Sequence, residues 1–155
     1  MKEKEALLYE PTRNWLEEQG YKAKVVGGTR SIILATGPRL GVSSVEPDVI
    51  GYKKEEYSEV LTVVEVKADP MYLFDGIGRC EVFKAIADFV YLALPERIAS
   101  QIGINSLFEP MHIGVLSISS EHSVKIKIEA RKNYNQDYLL RPVMIAMVKS
   151  ALELP

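Results

Sequence analysis

The chain has 155 residues, 47% hydrophobic and 26% charged, an ordinary composition for one globular domain with a buried core. Its 19 Lys and Arg against 21 Asp and Glu leave a net charge of −2, which excludes a histone-like protein that coats DNA through bulk positive charge. Cys80 is the single cysteine, which excludes an internal disulfide and any multi-cysteine metal site; it reads as a small buried apolar residue. No run approaches the roughly 18 apolar residues of a membrane span. The opening MKEKEALLYE lacks the apolar stretch of a signal peptide, so the expected location is the cytoplasm, with no membrane contact.

Residues 3–19 place Leu8, Thr12, Trp15 and Leu16 on one face, which predicts a helix ended by Gly20. Pro11 either kinks this helix or restarts it. Lys22–Val26 and Ser31–Thr36 read as strands joined by Gly27-Gly28-Thr29-Arg30, and Gly37–Val45 as a loop. Asp48–Tyr52 and Val60–Lys67 form a predicted hairpin around KKEEYSE. VLTVVEV is nearly all apolar and β-branched, the pattern of a strand buried on both faces.

Gly76–Ala87 reads as a helix, FVYLAL as a strand, and Pro95 to about Leu107 as helical. IGVLSI and SVKIKIEA form a second predicted hairpin, with Val124, Ile126 and Ile128 inward and Lys125 and Lys127 outward. Pro142 suits the first turn of a last helix, Val143–Leu154. Its apolar stripe of Val143, Met144, Ile145, Met147 and Val148 suits either core or a dimer face. Without repeats or low-complexity linkers, residues 1–155 read as a single α/β domain, a mixed sheet with helices on its faces.

Glu65 and Lys67 lie two apart on a predicted strand and therefore share a face. Burying both beside VLTVV is costly unless they pair or bind an ion. Asp48 begins the neighbouring strand and can reach the same end of the sheet. Two carboxylates and an ammonium suit Mg²⁺ held against a phosphate: the hard cation takes oxygen ligands, polarises the phosphodiester and acidifies a water. Lysine orients or activates that water and offsets developing charge. Glu65-Val66-Lys67 is the only acid-x-Lys triplet in the chain, and it closes an apolar strand. A structural salt bridge at a strand end is the competing explanation.

The remaining motifs carry less chemistry. Gly27-Gly28 and Gly76-x-Gly78 lack the spacing of a phosphate-binding loop and read as turn glycines. His112 and His122 lie near predicted strand ends and do not make a metal site together. Residues 22–54 carry six bases against Glu46 and Asp48, a local excess of +4. Within that stretch Arg30 and Arg39 flank the segment before Asp48, where guanidinium forks suit DNA phosphates.

Pro47-Asp48 followed by Glu65-Val66-Lys67 resembles the signature of the PD-(D/E)xK nuclease superfamily, which includes restriction endonucleases and archaeal Holliday junction resolvases. Glu5-Ala-Leu-Leu-Tyr-Glu-Pro, continuing to Trp15-Leu16 and Gly20-Tyr21, resembles the first helix of several small families in this group. Gly76–Ala87 leading into Ala87-Asp88-Phe89-Val90-Tyr91-Leu92-Ala93-Leu94-Pro95 resembles the helix and strand after the catalytic lysine. The resemblance covers roughly residues 5–95. It departs from the pattern where many members carry Gln-x-x-x-Tyr: Arg79 and Phe83 stand there, and arginine cannot accept a hydrogen bond as glutamine can.

The resemblance implies a restriction endonuclease-like α-β-β-β-α-β core and Mg²⁺-dependent endonucleolytic cleavage of DNA leaving a 5′-phosphate, with Mn²⁺ able to substitute. Asp48 and Glu65 would hold the metal, with the Val66 carbonyl as a further ligand, and Lys67 would position or activate water. Arg30, Arg39 and Arg79 are the expected DNA contacts, and a homodimer would supply two active sites for two strands. Members often add a glutamate from the first helix to the catalytic and metal-binding set. Glu5 lies on the inward stripe of Leu8, Thr12 and Trp15, whereas Glu10 faces away, so Glu5 is the expected acid. The alternatives are a non-catalytic nucleic-acid-binding module of the same fold or a latent subunit of a repair or defence complex.

Overall fold

A computed structural model describes residues 2–29, 32, 45–103, 108–134, 136 and 138–155. Among them, in chain order, are α1 (Lys2–Glu18), β1 (Lys22–Val25), β2 (Val49–Lys54), β3 (Glu59–Val66), α2 (Leu73–Phe83), β4 (Phe89–Pro95), α3 (Glu96–Ala99), α4 (Phe108–Met111), β5 (Gly114–Ile118), β6 (Val124–Ile128) and α5 (Leu140–Ala151). The strands form one six-stranded sheet in sequential order. β1, β2 and β3 run antiparallel, β3, β4 and β5 run parallel, and β6 returns antiparallel to β5. Parallel neighbours need a crossover, which α2 supplies between β3 and β4. The molecule is thus an α/β fold with a mixed sheet flanked by helices, and its elements through β4 follow the expected α-β-β-β-α-β order.

Apolar side chains bury both faces of this sheet. Leu8, Trp15 and Leu16 of α1 pack on Val64 and Val66 of β3 and on Tyr91 and Leu116. On the other face, Ile77, Cys80 and Phe83 of α2 and Met144 and Val148 of α5 pack on Leu61, Val63 and Leu92. Every residue from Val60 to Val66 is buried, as the apolar run requires. Cys80 is fully buried. α1 continues through Pro11, which removes the amide that would bond the Leu7 carbonyl; the Thr12 hydroxyl then donates to Leu8 O at 2.7 Å. No helix among the described residues is long and apolar enough to cross a membrane.

Several expectations shift. The helix expected from Pro95 to Leu107 is confined to Glu96–Ala99, with residues 104–107 outside the described set. Side chains of Ser100 and Gln101 both donate to the Arg97 carbonyl, an alternative to continued helix. α2 begins three residues earlier than Gly76, led in by a 3₁₀ turn over Pro70–Tyr72 that the Asp69 side chain caps through the Met71 amide. It also ends four residues before Ala87, because Asp88 N–H already bonds Leu61 O to start β4. On β6 the inward alternation fails, since Ile126 is exposed while Val124 and Ile128 are half-buried. β6 is an edge strand and its register against β5 slips between Val115 and Leu116. His112 and His122 have φ of 63° and 64° in turns, a conformation histidine tolerates. On α5 only Met144 and Val148 are buried, while Val143 stays exposed. The expected strand Ser31–Thr36 and loop Gly37–Val45 lie outside the described residues, apart from Ile32 and Val45.

Candidate active site

The C-terminal end of β3 gathers the acids. Glu65 and Lys67 follow Leu61 and Val63 in the two-residue alternation, so they point toward α2. Both are buried, at 1% and 7% exposure. Val49 pairs with Val64, which brings Asp48, one residue earlier, beside Glu65. Four bonds fix Asp48. Its carbonyl accepts from the Val26 and Gly27 amides, at 2.9 and 3.0 Å. Its Oδ2 accepts from Val66 N–H at 2.8 Å, and its Oδ1 from the Tyr9 hydroxyl at 3.1 Å. α1 covers the opposite face, yet Glu5 reaches round the strand end to put Oε1 3.9 Å from Lys67 Nζ.

Two glycines let the chain close on this cluster, and neither acts simply as a turn residue. A Cβ at Gly27 would stand 3.0 Å from Asp48 Oδ1 and 3.3 Å from its Cα. At Gly76, inside α2, a Cβ would meet Lys67 Cγ at 2.8 Å and Leu92 Cδ1 at 2.9 Å. Only glycine allows α2 to lie this close to Lys67.

Lys67 Nζ stands 3.0 Å from Asp75 Oδ2 and 3.6 Å from Glu65 Oε1. Arg79 Nε lies 3.2 Å from Asp75 Oδ2 and 3.8 Å from Glu65 Oε1. Two cations therefore face the acids from β3 and α2. Even so, two buried carboxylate oxygens, Glu5 Oε1 and Glu65 Oε2, have no hydrogen-bond partner among the described residues. Burial, then the Asp48 charge, pushes the Glu65 carboxyl well above its usual range despite Lys67 and Arg79. Burial likewise raises Asp48 to about 6, against the lowering effect of the Val66 and Tyr9 bonds. Burial and the Asp48 charge push the Tyr9 phenol upward, so it remains a donor. Burial alone would lower Lys67, but the Asp75 bond and the Glu65 and Glu5 charges outweigh it and raise it.

Asp48, Glu65, Val66, Lys67 and Glu5 come together as the spacing anticipated, and Arg79 joins them. Glu10 sits on the outer face, paired with Arg13 at 3.0 Å. Arg30 and Arg39 lie outside the described residues. Two other bases of the 22–54 stretch are engaged elsewhere: Lys24 Nζ donates to Ala151 O, and Lys53 lies over the Tyr21 ring. Sequence reading missed Tyr9 and Asp75. Each had a signal, since Tyr9 is one turn after Glu5 and Asp75 one turn before Arg79 on a helix.

Among the described residues no group of three or more His, Cys, Asp or Glu forms a ready-made metal cluster. The set does fit one hard divalent cation. Mg²⁺ binds through one or two carboxylates while keeping several waters, and the Glu5 and Glu65 oxygens that lack a hydrogen bond are buried acceptors of that kind. The chain matches no family model, no curated protein and no solved structure.

Proposed function

We propose that the chain is a Mg²⁺-dependent DNA endonuclease with a restriction endonuclease-like, PD-(D/E)xK core. The observation that carries this reading is the buried Glu65 carboxylate, whose Oε2 has no hydrogen-bond partner among the described residues, held beside Asp48 and Lys67 at a strand end. Asp48 and Glu65 would hold Mg²⁺ or Mn²⁺, with Glu5 and the Val66 carbonyl available as further oxygen donors. The metal, when bound, supplies Lewis-acid polarisation of the phosphodiester and acidifies a water.

The protein's own groups do the rest. Tyr9 and the Val66 amide lock the Asp48 carboxylate in orientation. Lys67, its pKa raised, is an ammonium at neutral pH. It can therefore orient the attacking water by donation and offset charge on the phosphate. Arg79 is half-exposed and can turn a guanidinium fork toward a phosphate oxygen. Arg30 and Arg39 are proposed as backbone contacts, and a homodimer as the arrangement that cuts both strands.

The test is incubation with supercoiled, linear, single-stranded and branched DNA in Mg²⁺, Mn²⁺ or EDTA. Cleavage is expected with either metal and not with EDTA. Asp48→Ala, Glu65→Ala and Lys67→Ala should each lower the rate by at least about 10³-fold while DNA binding persists. Wild-type rates in all three variants would sink the assignment.

A further inference from the structure

A cavity of about 350 Å³ opens next to the carboxylate cluster, at the C-terminal ends of the parallel strands β4 and β5. It lies on the α1 face of the sheet, and chain neighbours of the site line it: Ala68 directly follows Lys67, and Lys4 and Leu8 flank Glu5 on α1. Leu8 and Ile118, both buried, form an apolar wall, and Leu7 stands exposed at the mouth. Lys4 and Arg97 are lining cations, with Glu96 the single acid; Arg97 Nη2 is tied to Ala68 O at 3.1 Å. Ser119, Ser120 and His122 supply hydrogen-bonding groups on the β5 side.

We infer that this cavity takes one unpaired nucleoside next to the scissile phosphate, so that the substrate is single-stranded or locally unpaired DNA. The inference rests on the DNA-cleaving reading, which places a phosphate at Lys67. Apolar walls receive the faces of a base, polar groups read its edge, and Lys4 and Arg97 complement the flanking phosphates. The volume lies at the low end of small-ligand sites, about 300–1,000 Å³, and suits one nucleoside and not a base pair. A base still paired in a duplex cannot enter.

The test is fluorescence anisotropy with equal-length single-stranded, mismatched-duplex and fully paired oligonucleotides, in Ca²⁺ to hold cleavage back. Single-stranded DNA should bind about tenfold more tightly than the paired duplex, with the mismatch between them. Leu7→Glu and Lys4→Glu, both at exposed positions, should each collapse that preference toward unity. Equal affinity for paired and unpaired DNA overturns the inference, as does a preference that both variants leave intact. Hydrolysis of bis(4-nitrophenyl) phosphate by the wild-type protein in Mn²⁺ judges the catalytic centre separately. A chain that hydrolyses this diester but ignores pairing keeps the nuclease reading and loses the cavity assignment. Absent hydrolysis removes the nuclease reading, whatever the oligonucleotides show.

Discussion

β3 and β4 carry a buried carboxylate at each end, and the two are treated in opposite ways. At one end Asp88, 3% exposed, has both oxygens satisfied. Oδ2 accepts from Leu61 N–H at 2.8 Å and from Arg141 Nη2 at 2.9 Å, and Oδ1 from Gln136 Nε2 at 3.0 Å. Its carbonyl accepts from Asn133 N–H. At the other end Glu65, 1% exposed, has its nearest cations at 3.6 and 3.8 Å and one oxygen with no partner. A buried charge is costly unless paired and hydrogen-bonded. The Asp88 end meets that cost within the chain and ties α5 to the sheet through Arg141. The Glu65 end leaves it unmet, which is where a protein that binds something carries its deficit.

The largest expected effect breaks the satisfied end. Asp88→Ala leaves the Arg141 guanidinium, still bonded to Ile86 O and Glu59 O, without its counter-charge and the Leu61 amide without its acceptor, and should lower unfolding free energy by about 3–5 kcal/mol in urea titrations. Glu65→Gln in EDTA should cost nothing measurable or stabilise, because it removes a carboxyl whose charged form burial disfavours. Equal losses at both positions would erase the contrast.

Next comes the pH response of the open end, measured without metal. The folded Asp48 carboxyl is raised from 3.8 to about 6, chiefly by burial. The folded state therefore binds the Asp48 proton more tightly than the unfolded state. This group's contribution is fully present below about pH 4 and is lost as pH rises to about 6. The wild-type protein should thus fall relative to Asp48→Asn across that window. Discounted for partial exposure, the difference should be on the order of 1–2 kcal/mol. Mg²⁺ at 100 times its Kd should return about 2.7 kcal/mol to the wild type at pH 7 and little to the variant. A pH-independent difference, or equal Mg²⁺ gains, would refute the link between burial of Asp48 and metal binding.

Sequence pattern made the β2–β3 hairpin and the meeting of Asp48, Glu65, Lys67 and Glu5 legible, because both depend on local period. Strand alternation puts residues 65 and 67 on one face, and helical phase turns Glu5 inward and Glu10 out. What the pattern concealed depends on tertiary contact. Asp88 looked like part of a helix-to-strand junction, yet its bonding partners lie 27, 48 and 53 residues away. Gly27 and Gly76 looked like turns because the crowding that demands glycine comes from Asp48 and Lys67. The exposed Ile126 misled alternation because period alone does not show that β6 is an edge.

The smallest expected effect comes from Asp75, a positioning residue argued to act through Lys67. Its carboxylate is half-exposed, holds Lys67 at 3.0 Å and Arg79 at 3.2 Å, and is pulled below its usual range; burial opposes this, but the Lys67 bond and both cations win. Asp75 and Arg79 face solvent while Lys67 is buried but keeps Glu65 and Glu5 nearby, so Asp75→Asn should lower the unfolding free energy only modestly, by about 1 kcal/mol. Its consequence lies in where Lys67 goes. Without the Asp75 charge, the nearest remaining anion is Glu65 at 3.6 Å. An ammonium drawn there would close the open carboxylate much as Arg141 closes Asp88, and would compete with a divalent cation. Asp75→Asn should therefore raise the Mg²⁺ concentration for half-maximal cleavage and lower kcat by about tenfold, with KM for DNA little altered. Asp75→Glu, which keeps the charge, should recover most of both. An unchanged Mg²⁺ requirement in Asp75→Asn would show that Lys67 is held by Glu65 and Glu5 alone.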